Sequence, residues 1–162
     1  WDLTGPVELE GRGEFQGEGI FDTAHRYRIT TKYRDGTVLV MAGNDGLAGG
    51  TKWIGDRGWV RVDRGVLEAE PKDLLREQFG SDEIRLFDSP GHHRNFIDCV
   101  RSRRATITPA EVAHRSASTG HLGQIAMLTA RKLRWDPDAE TFADDAGATQ
   151  LLGHAMRSPW AL

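Results

Sequence analysis

The chain has 162 residues, of which 38% are hydrophobic, and a formal net charge of -3 at pH 7. This length and apolar content suit one globular domain, and the small negative charge argues against a nucleic-acid or anionic-membrane partner, because no excess of cations is available to contact phosphates. The single cysteine, Cys99, excludes an internal disulfide framework and a thiolate zinc cluster, and no apolar run approaches the roughly 20 residues of a membrane span.

The N-terminal sequence WDLTGPVELEG has no initiator methionine, no basic region and no apolar signal-peptide core. We therefore expect the chain to be a downstream piece of a longer polypeptide, with a tag remnant or a processing site at Trp1 as the alternative. Residues 1–162 are expected to form a single domain, with a sheet half at residues 7–70 and a mainly helical half at residues 73–162. The compartment, cytoplasmic or exported, stays open.

Residues 7–70 have the two-residue period of β-strands. In VELEGRGEF, the apolar residues Val7, Leu9 and Phe15 alternate with charged residues, and HRYRITTKY repeats the pattern. This alternation predicts a sheet with one covered face and one charged face, on which acidic and basic rows of neighbouring strands attract each other. The charged face is either solvated or the docking surface for a second copy of the chain.

Turn sequences divide the rest of the sheet half into further strands. The pair Asp35-Gly36 predicts a tight primed hairpin turn before VLVMA, and further turns are expected at residues 55–58 and 63–65. The sequence therefore predicts an α+β fold, in which a largely antiparallel open sheet of about five or six strands, arranged as one meander, is followed by helices packed on one face.

From about residue 74, the apolar residues recur at the three- to four-residue intervals of a helix. DLLREQF predicts a short helix, NFIDCVRSR predicts a helix over residues 95–103, and a last helix is expected over residues 145–156. Thr108, Pro109 and Glu111 form a capping-box pattern that predicts a long helix over residues 109–133. Its interior glycines, Gly120 and Gly123, each cost up to about 1 kcal/mol relative to alanine, so we expect another backbone to approach this helix closely.

The long helix carries two histidines and a serine that raise the question of a metal or hydrolase site. His114 and His121 are seven residues apart, about 10.5 Å along the helix axis, whereas a shared metal favours i,i+4 spacing. Ser118 lies one turn from each, but a catalytic serine normally sits on a strained turn beside free backbone amides. We interpret these side chains as packing or interface residues, with a metal-dependent hydrolase as the alternative.

Glycine-rich stretches raise a second possibility, a dinucleotide site. GRGEFQG has Gln16 where GxGxxG needs a glycine, and the glycines of GNDGLAGG are also wrongly spaced. Neither stretch leads from a strand into a helix, the arrangement that directs helix amides at a pyrophosphate. The chain is therefore expected to contain no Rossmann domain and to bind no dinucleotide on its own.

The densest polar cluster at a predicted loop-to-helix junction is His92, His93, Arg94 and Asn95. Imidazole, guanidinium and amide groups at such a position can bind a hydroxylated substrate, so these four are the substrate-pocket candidates. The alternative is a helix start with exposed polar side chains. The tryptophans are assigned to the core rather than to sugar stacking. Four aspartates are assigned to the capping of backbone groups in turns and at helix starts: Asp136, Asp138, Asp144 and Asp145.

Several motifs in one order resemble the C-terminal end of oxidoreductases of the Gfo/Idh/MocA (glucose-fructose oxidoreductase / inositol dehydrogenase) family, in particular a bacterial subgroup with its own type of C-terminal domain. The resemblance covers nearly the whole chain. It is carried by TGPVELEG, TKWIGDRGWVRVDRG, NFIDCVRSR, AHRSAS, HLGQIA, RKLRWDP and MRSPWAL.

The resemblance implies a domain that follows an N-terminal Rossmann domain binding NAD or NADP, shapes a pocket for sugars or polyols, and mediates homo-oligomer contacts, here through the sheet face. The family's catalytic lysine motif and aspartate/histidine pair have no match in this sequence, so no catalytic, cofactor-binding or metal residue is assigned. The isolated chain is expected to be inactive. The alternative is a freestanding sugar-binding or dimerisation module without redox activity.

Overall fold

Two antiparallel sheets and three α-helices make up the part of the chain that the computed structural model describes, residues 5–154 and 156–159. The strands are β1 (Glu8–Phe15), β2 (Ala24–Lys32), β3 (Val38–Gly43), β4 (Thr51–Gly55), β5 (Gly58–Asp63), β6 (Val66–Glu70), β7 (Leu133–Asp136) and β8 (Thr141–Phe142). The helices are α1 (His92–Ser102), α2 (Ala110–Thr129) and α3 (Ala146–Gln150), with a short 3-10 helix at Lys72–Arg76. Of these described helices, none combines the length and the apolar character needed to cross a membrane.

The main sheet has the strand order β3-β2-β1-β7-β8, and α2 packs on one of its faces. Leu9 of β1 and Ile29 of β2 point to that face and are 1% and 4% exposed. The helix approaches so closely that a Cβ atom on Gly11 would lie 2.8 Å from Met127 Cγ and 3.1 Å from the carbonyl oxygen of Gly123. The expected covered face and the α+β class are confirmed, with α2 and α3 packed on the main sheet, whereas α1 does not pack on it.

The core lies between α2 and the β1, β7 and β8 strands. Trp135 and Phe142 meet there edge to face, with ring centroids 5.0 Å apart, a favourable geometry for aromatic pairs. The buried cluster consists of Leu9, Leu122, Ile125, Ala126, Leu133, Trp135, Phe142 and Ala148.

The strands that follow β3 form a second sheet, in the order β4-β5-β6, so the expected single meander is wrong. The loop at residues 44–50 turns the chain away from β3, and Gly50 packs against the backbone of Val62, which seats β4 beside β5 alone. β7, which follows α2, takes the free edge of β1 instead, with Leu9 opposite Leu133. Antiparallel pairing holds throughout both sheets.

The expected hairpin turns are confirmed in place, but the first differs in type. Gly36 has a φ of +87°, whereas Asp35 is not in the left-handed region that a primed turn requires at both central positions. Asp35 instead accepts a hydrogen bond from the amide of Thr37 at 2.9 Å, an Asx turn that stabilises the loop without a positive φ at the aspartate.

The long helix is confirmed, but its expected capping box is wrong. α2 begins after Pro109, which is extended and makes no side-chain cap, so Thr108 lies outside the cap position. Glu111 instead accepts a hydrogen bond from Arg115 one turn later at 2.8 Å, because an i,i+4 cation is available to its carboxylate. The C-terminal end is Thr129, followed by the left-handed residue Ala130.

The shorter helices differ from expectation at their ends. α1 begins at His92, three residues early, so the polar cluster forms its first turn. α3 covers only Ala146–Gln150 rather than residues 145–156; of that expected span, position 155 is outside the described residues. Asp145 caps it as expected, accepting a hydrogen bond from the amide of Ala148 at 2.9 Å. The short helix expected in DLLREQF, residues 73–79, is a 3-10 helix at Lys72–Arg76, which ends three residues before Phe79.

Candidate functional site

The outward side of α2 forms one wall of a cleft of about 590 Å³, which we call the α2 cleft. This volume lies within the roughly 300–1,000 Å³ typical of small-molecule sites. The opposite wall comes from the β7–β8 turn and from the segment after α3. The residues that define the cleft are His114, Ser118, His121, Leu122, Ile125, Trp135 and Glu140.

The floor and the rim of the α2 cleft differ in chemistry. Leu122, Ile125 and Trp135 are nearly fully buried and present apolar surface at the floor. The rim carries imidazole, hydroxyl, amide and carboxylate groups, which can donate or accept hydrogen bonds. An apolar floor with a few polar groups above it is the usual composition of a pocket for a small organic ligand.

A hydrogen-bonded network at the rim fixes the position of His114. Its Nε2 lies 2.9 Å from Glu140 Oε1, and Arg115 Nη1 donates to the same oxygen at 2.8 Å. The hydrogen bond from His114 holds the pKa of the Glu140 carboxyl below its ordinary value, with the nearby charge of Arg115 acting in the same direction. A carboxylate only accepts, so His114 donates from Nε2.

Ser118 makes a structural hydrogen bond instead of pairing with a base. Its Oγ donates to the carbonyl oxygen of His114 at 2.8 Å, within the helix. His114 and His121 both lie at the rim of the α2 cleft, but among the described residues no group of three or more His, Cys, Asp or Glu side chains is arranged to hold a metal ion. The geometry offers neither hydrolase nor metal chemistry along this helix.

The four substrate-pocket candidates of the sequence analysis lie on the first turn of α1 and do not form one cleft. The rings of His92 and His93 are tilted by 45° to each other with centroids 4.0 Å apart, and both are exposed. Arg94 pairs with Asp98 at 2.9 Å, one turn later. Asn95 Oδ1 accepts a hydrogen bond from the amide of Ile107 at 3.2 Å, which ties α1 to the following loop. Their role in a substrate pocket stays a prediction.

The tryptophans are only partly in the core. Trp135 is buried as expected, but Trp53 on β4 is 51% exposed, so that expectation is wrong. Trp59 is half-buried under the ammonium of Lys52, whose Nζ is 3.9 Å from the ring centroid. Trp160 is outside the described residues.

The polar side of the main sheet, which we call the charged face, carries the alternating charges of β1 and β2. The strand register places Glu8 opposite Lys32 and Glu14 opposite Arg26, as the expected attraction of the two rows requires. It also places two like charges, Arg12 and Arg28, opposite each other, and Arg28 is balanced by an ion pair with Asp45. The face comprises Glu8, Glu10, Arg12, Glu14, Arg26, Arg28 and Lys32.

Sequence reasoning missed Glu140 and Trp135 as cleft residues. Glu140 meets His114 across 26 positions, and it does so from the turn between β7 and β8, where its φ is +50°. No local period encodes such a contact. The available signal is the RKLRWDP motif, which places a tryptophan and an acidic turn directly after α2.

An antiparallel sheet covered on one face, with a cleft beside the long helix, defines an α+β domain. The chain belongs to the Gfo/Idh/MocA oxidoreductases: residues 1–162 match the family described as "Oxidoreductase family, C-terminal alpha/beta domain". A comparison with curated proteins finds no match. Full-length proteins of this family carry an N-terminal Rossmann domain, the partner that the sequence analysis expected.

Proposed function

We propose that this domain forms a wall of the substrate pocket and an assembly surface of an NAD(P)-dependent oxidoreductase that acts on sugars or polyols. The α2 cleft is the observation that carries the proposal. A polyol needs a hydrogen-bonding partner for each buried hydroxyl and apolar contact for its carbon skeleton, and the cleft offers both.

Three rim groups are placed to bind hydroxyls: Glu140, His114 and His121. Glu140 is held as a carboxylate by its partners, so it accepts hydrogen bonds. Nε2 of His114 is engaged by Glu140, and His121 lies two turns further along the same side of α2. The N-terminal half supplies the nicotinamide and the hydride-transfer residues, and this chain supplies binding and orientation.

Substitutions at the rim test this assignment in the full-length protein. His121→Ala and Glu140→Gln are each expected to raise the KM for the sugar or polyol by about five-fold or more, because a buried hydroxyl that loses its hydrogen-bonding partner costs roughly 1–3 kcal/mol. Initial rates with glucose and myo-inositol, each with NAD+ and NADP+, measure the effect. His25→Ala, an exposed histidine on β2, is the matched control. Unchanged KM values in both rim variants contradict the assignment.

The assembly surface that we propose is the charged face. A two-fold axis parallel to the strands, passing between β1 and β2, places β1 of one copy over β2 of the other. The acidic row, Glu8 and Glu14, then lies over the basic row, Lys32 and Arg26, twice per interface. Glu10, opposite Thr30, lies between the two cations that flank that threonine. The charge pattern is therefore complementary to itself at these positions, whereas Arg12 lies over Arg28, a like-charged pair that the ion pair between Arg28 and Asp45 offsets.

Charge reversal at Glu10 tests this interface. The chain is expected to be a dimer or larger, and Glu10→Lys is expected to weaken self-association by about ten-fold or more, because it places a cation among cations. Light scattering over a concentration series measures the effect, with Asp82→Lys, which lies outside the charged face, as the control. A chain that is monomeric at high concentration, or a Glu10→Lys variant that associates like the parent, excludes this interface.

A further inference from the structure

The segment that ends in α1 presents a large apolar surface to solvent, which we call the 79–100 surface. Ile84 and Leu86 are each 93% exposed, and the other members are exposed by half or more. Its members are Phe79, Ile84, Leu86, Phe87, Phe96 and Val100. Single exposed apolar residues are ordinary on a protein surface, but six within 22 positions of one segment require a partner.

The area of this surface matches one side of a protein interface. Large apolar side chains each offer roughly 150–200 Å², so the exposed parts of these six total on the order of 700 Å². One side of a standard interface buries about 800 Å². Exposed apolar area on this scale within one segment of the chain favours burial against a partner.

α1 also lacks the means to be stable without a partner. It has 11 residues, fewer than the roughly 12–15 that an isolated helix needs in water. Its polar side is tied to the following loop through Asn95 and through Cys99, whose Sγ lies 3.4 Å from the carbonyl oxygen of Ala105. The opposite side, with Phe96 63% exposed, is open among the described residues. Tertiary packing on this side has to come from elsewhere.

The preceding segment, residues 77–91, also indicates that part of the 79–100 surface is covered by a partner. It contains no helix or strand, and irregular connections of this length in a compact domain are uncommon unless they are functional or disordered. Disordered segments are poor in large apolar residues, because such residues favour burial. Phe79, Ile84, Leu86 and Phe87 are therefore expected to be buried in the complete protein.

We propose that the 79–100 surface packs against the N-terminal nucleotide-binding half of the full-length protein, an inference that rests on the proposed function. Permanent contacts are more apolar than reversible contacts between folded proteins. The charged face has the polar composition of a contact between two separately folded copies, whereas the 79–100 surface has the apolar composition of a permanent contact. A covalently joined half is present at a millimolar effective concentration, which favours it over a second copy.

This packing has a consequence for the substrate-pocket candidates. His92 and His93 form the exposed first turn of α1, directly beside the 79–100 surface. When α1 docks, the two imidazoles lie at the boundary between the halves. They then line the entrance between nucleotide and substrate domains, although they form no pocket within this chain.

Hydrogen exchange of the 162-residue chain and of the full-length protein tests the inference. Amides of α1 are expected to exchange at least 100-fold more slowly in the full-length protein, whereas the buried amides of α2 at residues 122–126 exchange alike in both. Equal protection of α1 in the two proteins overturns the inference. Protection in the 162-residue chain that rises with protein concentration also overturns it, because a second copy is then the occupant.

A pair of variants separates docking from folding. Phe96→Asp is expected to restore fast α1 exchange in the full-length protein and to leave the circular dichroism of the 162-residue chain unchanged, because Phe96 is exposed there. Ile54→Asp, on β4 and 77% exposed, is the control and leaves α1 protection intact. Slow α1 exchange in the Phe96→Asp variant overturns the inference. Nucleotide binding by the full-length protein is measured separately, so the proposed function can fail while the docking result stands, and the reverse.

Discussion

Replacing Gly123 with alanine is expected to destabilise the 162-residue chain, whereas replacing Gly120 with alanine is expected to stabilise it. Both glycines lie inside α2, so each substitution gains the same helix propensity, up to about 1 kcal/mol. The two sites differ in space. A Cβ on Gly123 would lie 2.7 Å from Cδ1 and 2.8 Å from Cγ2 of Ile29, but a Cβ on Gly120 would meet no atom within 4 Å.

The clash at position 123 is expected to outweigh the gain in helix propensity. Ile29 is 4% exposed and lies in a strand that is paired on both sides. To avoid the clash with the new Cβ atom, either α2 must shift or Ile29 must adopt an unfavourable rotamer, at a cost of roughly 1–3 kcal/mol. Urea denaturation followed by circular dichroism measures both variants against the parent chain, with the m-value as the check on two-state behaviour. A Gly123→Ala variant as stable as Gly120→Ala contradicts the close packing of α2 on β2.

This pair of glycines also illustrates how far the sequence predicts the fold. Interior glycines indicated a close approach to α2, and the structure confirms it at Gly123 but not at Gly120, because residue identity alone does not state which side of a helix faces a sheet. Alternation along β1 and β2 correctly predicted the covered and the charged faces, since the two-residue period is a property of the strand itself.

The features that could not be predicted depend on contacts distant in sequence. The pairing of β7 with β1 joins Leu9 to Leu133, and no local pattern at either strand specifies the other. The split into two sheets has a different origin, the loop at residues 44–50, which turns the chain away from β3. The predicted start of α2 was wrong for a related reason. The Glu111 carboxylate could accept a hydrogen bond either from the backbone at the helix start or from Arg115, and it accepts from Arg115. Sequence spacing alone does not decide between these two donors.

The candidate site shows the same limit. His114 and His121 were correctly placed on one long helix, but the cleft beside them depends on Glu140 and Trp135, which reach it from β7 and the turn after that strand. The helix predicted over residues 95–103 was correct in kind, yet its start at His92 moved the substrate-pocket candidates from a loop onto an exposed turn. Whether these residues face substrate depends on the half of the protein that packs beside them.

The central claim is that the redox cofactor is bound by another half of the protein, and cofactor binding is where the largest effect is expected. A pyrophosphate needs free amides at the start of a helix that follows a glycine-rich turn from a strand. Of the described helices, α1 follows an irregular segment, α2 follows a proline, and α3 has only five residues. None matches that arrangement.

Calorimetric titration of NADH and NADPH into the 162-residue chain, with the full-length protein in parallel, tests this claim most directly. The full-length protein is expected to bind one of the two cofactors saturably, and the 162-residue chain to bind both at least roughly 100-fold more weakly, a difference of about 2.7 kcal/mol. Stoichiometric, saturable binding of either cofactor to the 162-residue chain would contradict the claim.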